Sequence, residues 1–151
     1  MPYLDSSGVT ALTGVYDDRY ASKTDVSSIG AISTSTAMSS DVAIASATWM
    51  NYSQNSKIPK ITLTKGVYIL EVKVTFGTAT DGARIVAIDS DQSHTDLDIR
   101  IAPSPSGATR IHYCKIVAPT ATTTYYMNVY QNSGSSINLN ADSCLKAVRI
   151  I

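Results

Sequence analysis

The sequence predicts an all-β protein of two packed sheets, a sandwich or jelly roll, and three observations predict it. Good helix formers are scarce: glutamate occurs once, at Glu71, while Ser, Thr, Ala, Val and Ile abound and there are nine tyrosines, a bias toward strands. The run Val67–Phe76 (VYILEVKVTF) puts Tyr68, Leu70, Val72, Val74 and Phe76 on one face and Ile69, Glu71, Lys73 and Thr75 on the other, the period of a half-buried strand. From Trp49 onward, strand-like runs recur about every ten residues with turn residues between them. A chain of 151 residues is long enough for one domain with its own core.

In chain order, SSGVTALTGVYDDRYASKTD reads as one short helix with Ser6 or Ser7 as N-cap. Val9, Leu12, Val15 and Tyr16 share a face, Asp17, Asp18 and Arg19 point out, and Gly14 weakens it. Val26–Thr48 carries a single charge, Asp41, and keeps neither strand nor helix period, so it reads as an extended stalk. Ile29, Ile32, Met38, Val42 and Ile44 make it too apolar for a solvated linker; such an arm lies on something. The expected division is therefore an anchoring arm over residues 1–46 and a head domain over 47–151. Further strands are expected at Lys60–Leu63, Ala83–Asp89, Leu97–Ala102, Arg110–Val117, Thr123–Gln131, Ile137–Leu139 and Leu145–Ile150, with turns at Lys65–Gly66, Thr80–Gly82, Pro103–Gly107, Pro119 and Asn132–Ser136. The final stretch from Tyr125 reads as a hairpin whose second strand ends on Val148-Arg149-Ile150-Ile151. Chain ends prefer water, so that oily end calls for a cover.

Charge excludes several classes. Twelve basic and twelve acidic residues balance, which leaves no footprint for nucleic acid and no polybasic membrane patch. No run approaches the ~18 apolar residues of a membrane span. MPYLDSSGVT has neither the basic nor the apolar region of a secretory signal, so export, if any, would use another route such as lysis.

The acidic run DSDQSHTDLD fits a calcium loop at Asp89, Asp91 and Ser93, then fails at His94 and Arg100. His94 and His112 lack metal-ligand spacing with a cysteine or each other, so neither metal nor cofactor is expected. No Gly-x-Ser-x-Gly elbow occurs. Glu71, Asp89, Asp91, Asp96 and Asp98 are the acids a glycosidase pair would need, and they read as ordinary surface acids. The expectation is no catalysis. Asn51-Tyr52-Ser53 is a glycosylation sequon, but a chain without a secretory signal is not expected to meet that machinery. Cys114 and Cys144 are either paired across adjacent strands or isolated thiols.

Three patterns, in this order, resemble a family: LTKGVYILEVKVTF (63–76), TDGARIVAID (80–89) and MNVYQNSGSSINLN followed by LKAVRI. The set, covering about residues 47–151, resembles the trimeric jelly-roll heads of the tumour-necrosis-factor and complement-head type found at the tips of bacteriophage fibres and appendages. YLDSSGVTALTGVYDDRY looks like the short segments that precede phage attachment domains. The resemblance implies a homotrimer with one sheet of each sandwich around a three-fold axis and the last strand central in that sheet. Tyr68, Tyr125, Tyr126, Tyr130, Val148 and Ile150 would line the axis. The alternative is a monomeric sandwich whose tyrosines cap its ends. The implied function is a virion structural protein on the particle exterior, a short head fibre or capsid decoration. Its arm, with Val9, Leu12, Val15, Tyr16, Ile29 and Ile32, would dock on a capsid or tail protein. The loops Asp89–Asp96 and Pro103–Gly107 would face a host surface. The alternative function is a tail-tip receptor-binding protein that recognises host carbohydrate; a secreted complement-like module fits less well.

Overall fold

The computed structural model describes residues 32–92 and 99–150. Among them are eleven strands and no helix: β1 (Ile32–Ala37), β2 (Val42–Ile44), β3 (Thr48–Met50), β4 (Lys60–Leu63), β5 (Tyr68–Phe76), β6 (Arg84–Asp89), β7 (Ile99–Ile101), β8 (Thr109–Val117), β9 (Thr123–Gln131), β10 (Ile137–Leu139) and β11 (Cys144–Arg149). The helix expected around Val9, Leu12, Val15 and Tyr16, and Ile29, lie outside the described residues.

Registers reduce these strands to eight ribbons. β1 and β2 follow one another along β11 and β10, which themselves follow one another along β5. β3 and β4 likewise follow one another along β9. Numbered in chain order, the first sheet runs ribbons one, eight, three, six and the second runs two, seven, four, five. Every pairing is antiparallel, and the interleaving of early and late ribbons in both sheets is the jelly-roll arrangement.

The inward faces meet in one core. Tyr68, Leu70, Val72, Val74 and Phe76 of β5 are 0–2% exposed, the face that alternation predicted. They pack with Val86 and Ile88 of β6, Met127 and Val129 of β9, and Leu145 and Ala147 of β11. On the opposite face of β5, Ile69, Glu71 and Lys73 stay half-exposed. Thr75 alone is buried there, beneath the turn that joins β10 to β11. Its hydroxyl donates to Asp142 Oδ2 (3.0 Å), and its N–H donates to Ser143 Oγ (3.0 Å).

That turn carries a charge. Lys73 Nζ lies 3.0 Å from Asp142 Oδ2, with both side chains about 40% exposed. Burial alone would raise the Asp142 carboxyl, but hydrogen bonds from Lys73 and Thr75 and the positive charges of Lys73 and Arg110 outweigh it and hold it below the ordinary carboxylate range. A depressed folded-state value means stability that is present above the unfolded value and lost as pH falls through the folded one. Denaturant titrations between pH 6 and about pH 2 are expected to show an acid loss that Asp142→Asn reduces. Exposure limits the effect to about 1 kcal/mol or less.

Three sequence expectations change. Residues 32–44, assigned to the arm, belong to the sandwich: β1 pairs along β11, β2 pairs with β10, and Met38, Val42 and Ile44 are core residues. ISTSTA has no apolar alternation; its strand state comes from backbone pairing with a segment over a hundred residues away, which local periodicity does not carry. The terminal strand is internal to its sheet, as the resemblance implies, and the oily end is edged by β1 and β5 of its own chain, so its backbone needs no sister chain. Finally, β9 and β10 form no hairpin, since they lie in different sheets. The Asn132–Ser136 turn crosses between sheets, tied by the buried Gln131. Gln131 Nε2 donates to Ile44 O (3.0 Å) and Ser135 O (2.9 Å), while its Oε1 accepts from Ser133 N and Oγ (both 2.7 Å).

The turn before β6 needs a glycine for two reasons. Gly82 has φ +78°, and a Cβ there would sit 2.3 Å from Asn132 O and 2.5 Å from Asn132 C. Gly82→Ala is expected to cost about 3 kcal/mol, combining left-handed strain with a backbone clash. Gly107→Ala, which meets nothing within 4 Å, should move the urea midpoint little; equal midpoints for the two variants would refute the geometry at Gly82.

Candidate functional site

The outward faces of the two sheets hold the candidate surfaces. On the first sheet, register places Ile116, Ile69 and Val148 side by side across β8, β5 and β11. Ile116 is 69% exposed, the exposed large hydrophobic among the described residues. The next row is Cys114, Glu71 and Lys146, and the one after it His112, Lys73 and Cys144. His112 Nε2 lies 2.7 Å from Glu71 Oε1. An apolar bar with charged rows beside it can take a flat partner, with the charges fixing register.

The two cysteines are free. Cys114 pairs with Glu71 and Cys144 with Lys73, on opposite sides of β5. Two strand spacings of about 4.8 Å across and two residues along β5 put them roughly 12 Å apart, beyond disulfide reach. Of the two readings, isolated thiols is the one the structure supports.

On the second sheet, Trp49, Tyr130, Ile85 and Arg100 stand in one row across β3, β9, β6 and β7. The Trp49 and Tyr130 rings lie 5.2 Å apart, tilted by 44°. Toward the other end, Lys60 pairs with Tyr126, and its ammonium sits 3.8 Å from the Tyr52 ring centroid, a cation–π contact.

Between these aromatic ends lies the sequon. Asn51 is fully buried, where β3 and β4 part and leave a gap beside Asn128. Its Nδ2 donates to Asn128 Oδ1 (2.8 Å) and Gln92 O (3.0 Å), and its Oδ1 accepts from Ser53 N and Oγ (2.8 and 2.7 Å). With its amide fully engaged, Asn51 is a structural residue in the folded chain, not a glycan acceptor. It also explains how Asn128, the polar interruption in YYMNVY, is buried without a sister chain.

The six residues expected at a three-fold axis do not share a surface. Tyr68 is 2% exposed and points inward, its hydroxyl 3.1 Å from Thr64 Oγ1. Tyr125 pairs with Ile61 and packs on the core; burial raises its hydroxyl, partly offset by Lys115. Tyr126 and Tyr130 face outward on the second sheet, whereas Val148 faces outward on the first. Ile150 follows β11 and donates its N–H to Val67 O (2.7 Å). Strict alternation along β9 splits Tyr125 from Tyr126, so the two cannot line one axis. Of the arm positions, Ile32 begins β1.

Of the loops expected to face a host together, residues 93–96 lie outside the described residues; the described start of the first, at Asp89, and the start of the second, after Ile101, stand at opposite ends of the β6–β7 pair. Among the described residues, no group of three His, Cys, Asp or Glu could hold a metal. Sequence reasoning missed Trp49, Arg100, Ile69 and Ile116. The single tryptophan was an available signal; the row containing Ile116 appears only once strands are aligned.

No family model matches the chain, and no curated protein matches it. Among solved structures, it is similar to a carbohydrate binding module from Cellvibrio mixtus lichenase 5A in complex with cellotriose, at 13% identity and a TM-score of 0.40 over 79% of this chain and 98% of that one. It is also similar to murine APRIL at pH 5.0, at 10% identity and 0.41 over 73% and 98%. A third is the C-terminal carbohydrate binding module of LamC from Zobellia galactanivorans, at 12% identity and 0.36 over 79% and 94%. Likenesses this distant add nothing to the sandwich that the strand order itself defines, and they carry no argument about function.

Proposed function

We propose that this chain is a non-enzymatic virion structural protein, a short trimeric bacteriophage head fibre or capsid decoration on the particle exterior. The observation that carries the reading is the outward apolar row Ile116–Ile69–Val148, with Ile116 69% exposed in the single chain. Contact between copies would cover it. The row lies on the sheet that contains the terminal strand, as the resemblance to trimeric heads implies, but it draws on different residues from those first expected. The segment before β1, with Val9, Leu12, Val15, Tyr16 and Ile29, is the docking arm for a capsid or tail protein, and three arms per trimer raise effective concentration.

The test is incorporation. A chain lacking residues 1–31 should remain a folded trimer and fail to join virions; continued incorporation would contradict the docking role. A second reading, a tail-tip receptor-binding protein for host carbohydrate, is favoured by the outward Trp49–Tyr130 pair, because sugars present C–H faces that pack on aromatic rings.

A further inference from the structure

We propose that Trp49, Tyr130 and Arg100 form a subsite for an acidic oligosaccharide, one that bears a carboxylate. The subsite rests on the carbohydrate reading of the head and is independent of the trimer. All three residues stand in one row on the outward face of the second sheet, with Ile85 between Tyr130 and Arg100. Both rings are half-buried and tilted by 44°, so they form a shallow angled platform that keeps aromatic surface in solvent. Aromatic rings whose work is packing sit in the core, as Phe76 does at 0% exposure; these two lie outside it.

Ile85, only 6% exposed, gives the row a low apolar floor. Arg100 follows, exposed and without an ion pair among the described residues. A guanidinium with open donors takes a carboxylate in a two-pronged hydrogen bond. Beside it opens a cleft of about 400 Å³ lined by Gly82, Ala83, Arg100, Ile101, Ala102 and Asn132. From Trp49 to Arg100 the row crosses three strand spacings, about 14 Å, enough for more than one sugar ring. An apolar platform at one end and, at the other, a cation with no ion pair among the described residues select a chain with a ring face to stack and a negative group displaced from it. A neutral sugar satisfies the first half alone.

Trp49 is the only tryptophan, so its emission reports this site in the full chain. Trigalacturonate, sialyllactose and neutral cellotriose, each at millimolar concentration, are the probes. The two acidic probes separate a polyuronate source from a sialylated one. At least one is expected to shift Trp49 emission saturably. Arg100→Gln, a surface change that should not affect folding, is expected to weaken that binding about tenfold and leave cellotriose unchanged. Tyr130→Phe keeps the ring and should retain binding. Cellotriose binding as tight as the acidic probes, or acidic binding unmoved by Arg100→Gln, would overturn the acidic assignment. No saturable shift with any probe would overturn the subsite. The particle mass in the same samples reports the trimer separately.

Discussion

Deleting residues 1–46 is expected to unfold the protein, while deleting residues 1–31 leaves it folded. The longer deletion removes β1 and β2 and with them Met38, Val42 and Ile44, each 5% exposed or less. At roughly 2 kcal/mol per buried large apolar side chain, that is on the order of 6 kcal/mol, comparable to the whole stability of a typical domain. It also strips one of the two backbone partners of β11, along Cys144 to Val148, leaving only β5, and leaves the Gln131 amide without Ile44 O. Cooperative urea unfolding monitored by far-ultraviolet circular dichroism separates the two constructions. A cooperative transition in the chain lacking residues 1–46 would show that β1 and β2 are dispensable, and the sandwich boundary at Ile32 would be wrong.

If copies associate as proposed, Ile116→Lys is expected to leave the chain a folded monomer. In the single chain Ile116 is mostly in water, so the substitution should change monomer stability by no more than about 0.5 kcal/mol. Within an assembly it would place an ammonium against the apolar row of each neighbour. A buried charge without a partner costs about 3 kcal/mol or more, at least a hundredfold in association. Sedimentation velocity with the unfolding midpoint measured alongside distinguishes this from misfolding. A variant that stays trimeric would remove Ile116 from the interface; one that unfolds would show the residue to be part of the core.

Much of the fold is legible in local pattern because β5 and β8 alternate over most of their length and turn residues bound the other head strands. β4, β9 and β10 have the bounds that composition and turns suggest, and the buried face of β5 is the one its period marks. The misreadings share a cause, which is partnership across long sequence distance. ISTSTA becomes a strand because β11 is there to pair with it. The role of Asn51 likewise rests on Asn128, 77 residues on, which accepts from its amide. The turn after Gln131 looks like a hairpin because nothing nearby says that β9 and β10 belong to different sheets. The candidate surfaces are harder still to read, since Ile116, Ile69 and Val148 come from three strands and Trp49, Tyr130 and Arg100 from three others. Each residue is unremarkable in its own segment, and only register makes a surface of them.

The central claim is that copies of this chain cover one another on the outward face of the first sheet. The mass of the purified chain in solution, measured by multi-angle light scattering at micromolar concentration, tests it most directly. The chain is 16.1 kDa, so three copies give 3 × 16.1 = 48.3 kDa, and that mass is the expected result. A single species at 16.1 kDa would contradict the account.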